Sequence, residues 1–97
     1  YKKARLKFLK ERERFLARLR QIPFLRVIPS AANYFLCEVI GNYTTEELCG
    51  SLLDNNHILI KNCSTKAGFG NRQYVRIAIR NHEDNERLVE ALERLIR

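Results

Sequence analysis

The chain has 97 residues, of which 45% are hydrophobic and 30% are charged, and its formal net charge is +7. Residues 1–20 carry this whole excess of positive charge, whereas residues 21–97 are neutral overall. The distribution argues against a nucleic-acid-binding surface that extends over the domain. No apolar run approaches the ~20 residues of a membrane-spanning helix. We therefore expect a cytoplasmic protein that has neither a nucleic acid nor a membrane as its partner.

The length predicts a single domain over residues 1–97, because a chain of this size builds one modest hydrophobic core. The chain contains no methionine, even at position 1, and its first residues already follow a helical pattern. We therefore expect it to be a fragment of a longer protein.

The cysteines and histidines indicate no metal site. Cys37, Cys49 and Cys63 lie far apart in apolar sequence and form no CxxC pair. Free thiols in a reducing compartment are typical of this pattern. His57 and His82 stand alone, and no Cys/His spacing suits zinc. We predict structural roles for these side chains.

Hydrophobic periodicity and turn residues divide the chain into seven elements in the order α-β-β-α-β-β-α. Pro23 ends the first helix, because proline lacks a backbone donor and restricts the residue before it. Thr44 or Thr45 can cap the second helix, and Asn81 or His82 lies at the start of the third. The predicted elements are a helix over residues 1–20, strands over 24–30 and 32–40, a helix over 44–56, a strand over 57–63, a loop over 64–71, a strand over 74–80 and a helix over 81–97.

Each predicted helix has an apolar face that can pack on a sheet. Helices on one face of a sheet of about four strands form a two-layer α/β (α+β) fold, with residues 1–22 as an incoming helix and 24–97 as the sheet and its covering helices. The other sheet face is left for a partner, a ligand or water. The predicted inner residues are Tyr1, Ala4, Phe8, Leu9, Phe15, Leu16 and Leu19 in the first helix, Leu48, Leu52 and Leu53 in the second, and Leu88, Ala91, Leu92 and Leu95 in the third.

The strand "YVRIAIR" (74–80) offers positive charge on the open sheet face. Side chains alternate between the two faces of a strand, so Lys61, in the neighbouring strand, should lie on the same sheet face as Arg76. An arginine there suits a carboxylate or a phosphate, although it can also pair with a carboxylate of its own chain. Alternation places Val75, Ile77 and Ile79 on the core side and Arg76, Ala78 and Arg80 on the open side.

The sequence shows no catalytic machinery of its own. It contains no nucleophile–base pair, no phosphate-binding glycine loop and no paired carboxylates in a plausible cleft. We therefore predict no catalytic residue within these 97 residues.

Three blocks of the sequence, "VIPSAANYFLCEV", "LLDNNHILIKNCS" and "GFGNRQYVRIAIRNHEDNERLVEAL", resemble the C-terminal part of the fold-type I, pyridoxal-phosphate-dependent aminotransferases. The resemblance covers roughly residues 25–95, and the first helix is similar to the segment that leads into the small domain. The subgroup that it most resembles contains histidinol-phosphate aminotransferase and threonine-phosphate decarboxylase. The blocks "ILIKNCS" and "YVRIAIRN" look slightly more like the decarboxylase branch.

The resemblance implies roles for three residues. Arg76 stands where the family has the arginine that binds the α-carboxylate of the amino-acid substrate. Lys61 stands where this subgroup usually has an arginine that helps to hold the substrate phosphate, and lysine keeps the charge without the planar fork. Asn33 matches a position near the cleft, with backbone bracing as an alternative role. Arg80 matches no ligand position and is expected to be structural.

The resemblance also implies pyridoxal 5'-phosphate as the cofactor and a homodimeric parent enzyme. In the family the lysine that forms the Schiff base and the groups that hold the cofactor belong to a large domain that precedes this segment. We therefore expect these 97 residues alone to be inactive. In the parent they would supply Arg76 and close over an amino acid or phospho-amino acid.

Three alternatives remain open at this point. The parent enzyme could be an amino-acid-phosphate decarboxylase instead of an aminotransferase. The domain could be a non-enzymatic binding module whose basic first helix engages RNA or an acidic partner. It could also be a free-standing regulatory domain that binds an amino acid through Arg76.

Overall fold

A computed structural model of the chain describes residues 2–28, 33–64 and 72–96. The predicted order of elements and the two-layer α/β class are both confirmed. Tyr1 and nearly all of the predicted loop over 64–71 lie outside the described residues, as do the side chains of residues 2–4. The elements are α1 (Lys2–Leu19), β1 (Leu25–Ile28), β2 (Tyr34–Val39), α2 (Thr45–Asn56), β3 (Lys61–Asn62), β4 (Tyr74–Ala78) and α3 (His82–Glu93).

The four strands form one sheet in the order β1-β2-β4-β3, and every neighbouring pair is antiparallel. In the central part of the sheet Val75 lies opposite Cys37, and Cys37 lies opposite Val27. One face of this sheet is buried, because Phe35, Cys37 and Val75 are completely inaccessible to solvent.

All three helices pack on that buried face, and their apolar residues join the sheet in a single core. The ring of Phe15 from α1 lies 6.0 Å from the ring of Phe35. The other fully buried apolar residues of the helices are Leu19, Leu48, Leu52, Val89 and Leu92.

Two details of the predicted faces are wrong. Leu53 is 47% exposed, whereas Leu48 and Leu52 are fully buried as predicted. In α1 the side chains of Phe8 and Leu9 are 38% and 44% exposed. The apolar stripe of α1 is buried only from Phe15 onward, where the helix lies over the sheet.

The third strand is shorter than its predicted range of 57–63. Helix α2 ends with His57 in the left-handed conformation, at φ 54°. The backbone N–H of Ile58 then donates to the carbonyl of Leu52 at 3.0 Å, so this part of the chain is tied to the helix end. Pairing with β4 begins only at Lys61. At the other end of α2 Thr44 is the cap, in a reciprocal capping box with Glu47.

A polar network fastens α1 to α3. The carboxylate of Glu11 accepts hydrogen bonds from Arg14 Nε and Asn85 Nδ2, both at 2.9 Å. Glu86 bonds to Arg14 and to Arg18, the latter at 3.1 Å through Nε. The basic face of α1 is therefore partly neutralised by acids of its own chain. Within the described helices, none is long and apolar enough to cross a membrane.

Candidate functional site

The open face of the sheet is the face opposite the helices. Its central row runs across all four strands through Ile28, Leu36, Arg76 and Lys61, each opposite the next. The predicted alternation of β4 is confirmed, since Val75, Ile77 and Ile79 are buried while Arg76, Ala78 and Arg80 are exposed.

The structure brings Arg76 and Lys61 together on this face. They are directly opposite each other in the antiparallel β3–β4 pair, and both are exposed. Side chains at such positions have their Cβ atoms about 5 Å apart, and like charges there repel each other. All Asp and Glu residues of the chain lie in the described ranges, and none forms an ion pair with either cation. The pair is a local concentration of positive charge that an anion would stabilise.

Tyr34 completes this group of side chains. It lies opposite Ala78, two residues along the strands from the Leu36–Arg76 pair and therefore on the same face. The guanidinium carbon of Arg76 is 5.0 Å from the centre of the Tyr34 ring, which is cation–π contact. Sequence analysis missed Tyr34, because its contact with Arg76 depends on the pairing of two strands 40 residues apart.

Two other arginines near the open face have carboxylate partners. Arg26 donates to Glu38 at 2.9 Å, and Arg80 donates to Asp84 at 3.1 Å. The prediction of a structural role for Arg80 agrees with this ion pair. Arg76 differs from both, because an aromatic ring contacts its guanidinium and leaves its charge uncompensated.

Asn33 lies just before β2, and it contributes to the sheet through its backbone. Its carbonyl accepts a hydrogen bond from the N–H of Ile79 at 2.8 Å, which extends the pairing of β2 with β4 by one step. The structure shows this bracing contact and places the residue at the surface. A contact of its side chain with a substrate stays a prediction.

Two concavities formed by the described residues have linings that include neither Arg76 nor Lys61. One separates residues 57–60 from the end of β4 and from α3, and its lining includes Ala78 and Arg80. The other lies between α1 and the start of α3, and its lining includes Phe8 and His82.

The lysines whose side chains the structure describes are Lys7, Lys10 and Lys61, and all three are exposed. Lys7 and Lys10 line the open concavity between α1 and the start of α3. No group of three His, Cys, Asp or Glu side chains suitable for a metal ion occurs in the described part of the chain. Two adjacent exposed cations are an arrangement that suits a bound anion.

Comparison with known proteins gives the same family as the sequence blocks. Histidinol-phosphate aminotransferase 2 of Archaeoglobus fulgidus is 35% identical over 92 residues, which are 95% of this chain and 25% of that protein. A decarboxylase from Sulfurospirillum multivorans matches with a TM-score of 0.88 and 29% identity, over 100% of this chain and 27% of its own. L-threonine-O-3-phosphate decarboxylase from Porphyromonas gingivalis matches with a TM-score of 0.79 and 27% identity, over 92% and 27% of the two chains.

The chain thus spans about a quarter of the length of these relatives. The family model described as aminotransferase class I and II matches residues 1–92, which is nearly the whole chain. On this evidence the chain belongs to the class I and II aminotransferase family.

Proposed function

We propose that this chain is the C-terminal small domain of a pyridoxal-phosphate-dependent aminotransferase that acts on an amino acid or a phospho-amino acid. Its role is to bind the substrate's carboxylate through Arg76 and to close over the substrate. The observation that carries the proposal is the pair of adjacent exposed cations, Arg76 and Lys61, without any acidic side chain of the chain to neutralise them.

Arg76 suits the α-carboxylate of an amino acid. Its guanidinium is planar and can donate two parallel hydrogen bonds to the two carboxylate oxygens. Such a contact holds the substrate in one orientation. Orienting the substrate lowers the barrier of a reaction that residues outside this chain would catalyse.

The charge of Lys61 indicates that the substrate has a second negative group. Its ammonium is a compact charge that suits a phosphate oxygen but cannot form the bidentate contact of an arginine. Since Lys61 and Arg76 are neighbours across two strands, one substrate carrying a carboxylate and a phosphate could engage both. We therefore favour a phospho-amino acid over an unphosphorylated one.

The site needs a covering surface, because exposed charge pairs contribute little in water. We propose that the large domain of the same polypeptide supplies it, within a homodimeric parent. In support, about three quarters of each relative lies outside the matched region. That domain would also hold pyridoxal phosphate, which acts as an electron sink for bonds at the α-carbon. This chain would contribute orientation of the substrate and exclusion of water.

Decarboxylation is the second candidate reaction. Two of the structural matches reported above are described as decarboxylases, and one of them acts on threonine phosphate. Loss of carbon dioxide and transfer of the amino group give different products from one substrate. Assays for released carbon dioxide and for the keto product, run on the full-length enzyme with phospho-amino acids, distinguish them.

The carboxylate role is tested by Arg76→Lys in the full-length enzyme. The variant keeps the charge but loses the bidentate contact, so we expect KM for the amino acid to rise about tenfold or more, as for the loss of a charged hydrogen bond. Cofactor absorbance should not change. The matched control is Arg26→Lys, which alters an arginine of the same face that is paired with Glu38. An unchanged KM in Arg76→Lys would reject the proposed role.

The phosphate role is tested in the same assay by Lys61→Ala. We expect KM for a phospho-amino acid to rise severalfold, while KM for the unphosphorylated amino acid changes little. Equal increases in KM for both substrates would mean that Lys61 does not bind the phosphate.

A further inference from the structure

We propose that Tyr34 is a positioning residue for Arg76. Its ring supports one side of the guanidinium and holds it above the open sheet face, while the charge and the N–H groups stay available to the substrate. This inference rests on the proposed function of Arg76 as the carboxylate-binding residue.

The geometry comes from the register of β2 and β4. Tyr34 lies opposite Ala78, and Leu36 lies opposite Arg76, so Tyr34 and Arg76 are diagonal neighbours on the open face. Diagonal positions are within reach of an aromatic ring and a long side chain. The observed distance of 5.0 Å from the guanidinium carbon to the ring centre is within the range of cation–π contact.

Ala78 contributes to this arrangement through its small size. It is exposed and lies between Arg76 and Arg80 along the same face of β4. Its methyl group leaves the space above the strand to the Tyr34 ring and the guanidinium of Arg76.

An aromatic support differs chemically from an acidic one. In the pairs Arg26–Glu38 and Arg80–Asp84 a carboxylate neutralises the arginine and occupies its N–H groups. A ring carries no full negative charge and accepts no conventional hydrogen bond, whereas the guanidinium has five N–H donors, more than contact with one ring can engage. Tyr34 can therefore restrict the motion of Arg76 without competing with a bound carboxylate.

Restricting Arg76 before the substrate arrives should lower KM. A free arginine side chain loses rotamer entropy when it is immobilised on binding, and a pre-formed contact reduces that loss. We expect the contact to persist when substrate binds, so that it affects binding of the ground state and the transition state alike. Its removal should therefore change KM and leave kcat nearly unchanged.

The experiment compares Tyr34→Phe and Tyr34→Leu in the full-length enzyme. We expect Tyr34→Leu to raise KM for the amino acid about two- to fivefold, as for an exposed cation–π contact, with kcat nearly constant. Tyr34→Phe keeps the ring and should raise KM less than twofold. The matched control is Tyr74→Leu, which removes a ring from the same face; that tyrosine's hydroxyl contacts Arg72 at 3.4 Å instead.

A second series isolates the electrostatic contact from packing. Phenylalanines with increasing fluorination at position 34 keep the shape of the ring while withdrawing electron density from its face. We expect KM to rise steadily with fluorination, and this trend should disappear in an Arg76→Gln background. This series still tests the contact between the ring and Arg76 if Tyr34→Leu does not fold.

The outcomes separate this inference from the proposed function. If Arg76→Lys raises KM while Tyr34→Leu and the fluorinated series leave it unchanged, Tyr34 does not position the arginine and the carboxylate role stands. If Tyr34→Leu raises KM equally in the Arg76→Gln background, the ring acts by general packing and the inference is wrong. If Arg76→Lys itself has no effect, the proposed function fails and this inference fails with it.

Discussion

The glutamate at the α1–α3 junction provides a sharp test of how the fold is held together. Glu11 has a side chain only 14% exposed, and its carboxylate bonds to Arg14, Asn85 and His82. The pKa of Glu11 is lowered from 4.5 to about 2, chiefly by the hydrogen bond from Arg14 and also by those from Asn85 and His82, against the opposing effect of burial. Glu11→Gln removes the charge and preserves the size of the side chain.

The lowered pKa sets the size and the pH window of the effect. A pKa of about 2 in the folded state, against 4.5 unfolded, corresponds to ~3 kcal/mol of unfolding free energy at pH 7. Because the folded-state pKa is the lower one, this stabilisation is complete above about pH 5 and is lost as the pH falls toward 2. More than half of it is already lost at pH 3. The figure of ~3 kcal/mol is an upper bound for Glu11→Gln, since the new amide oxygen still accepts hydrogen bonds.

Urea unfolding of both proteins at pH 7 and pH 3 measures this contribution. We expect the contribution of the Glu11 charge to the difference in unfolding free energy between wild type and Glu11→Gln to fall by more than half from pH 7 to pH 3. Glu86, whose pKa is also lowered, mainly by Arg18, is present in both proteins, so its own titration largely cancels. The control is Glu90→Gln, at an exposed residue of α3 with no ion pair in the described ranges; it should change stability by less than ~0.5 kcal/mol. A difference that does not depend on pH would refute the charge argument.

Two further predictions concern the core. Leu52→Ala should lower the unfolding free energy by about 2–5 kcal/mol because Leu52 is fully buried, while Leu53→Ala should lower it by less than ~1 kcal/mol; equal losses in urea unfolding would contradict the observed orientation of α2. Burial raises the pKa of the Cys37 thiol to about 12, so iodoacetamide at pH 8 should alkylate Cys37 far more slowly than the half-buried Cys63. Peptide mass spectrometry would measure both rates, and urea should equalise them. Rapid alkylation of Cys37 in the folded protein would mean that the sheet opens locally.

Much of the fold could be predicted because its signals are local. Side chains alternate along a strand with a period of two, so the residues of β4 could be assigned to a buried and an open face without knowing any neighbour. The capping residues of α2 and α3 are equally local, and both Thr44 and Asn81 were among the predicted candidates. Local patterns predict less at the border of a helix's apolar face. Leu48 and Leu53 are both apolar, but only the packing of α2 on the sheet determines which of them is buried.

The candidate site likewise combines features that local sequence predicts with features that depend on long-range pairing. Alternation was enough to assign Arg76 and Arg80 to the open face, and resemblance to a family singled out Arg76. The partners of these residues depend on the tertiary fold, because strand register joins positions far apart in the chain. It placed Lys61 opposite Arg76, gave Arg80 a carboxylate in Asp84, and brought the ring of Tyr34 to the guanidinium of Arg76. Alternation can indicate which way a side chain faces, whereas long-range pairing determines what it meets there.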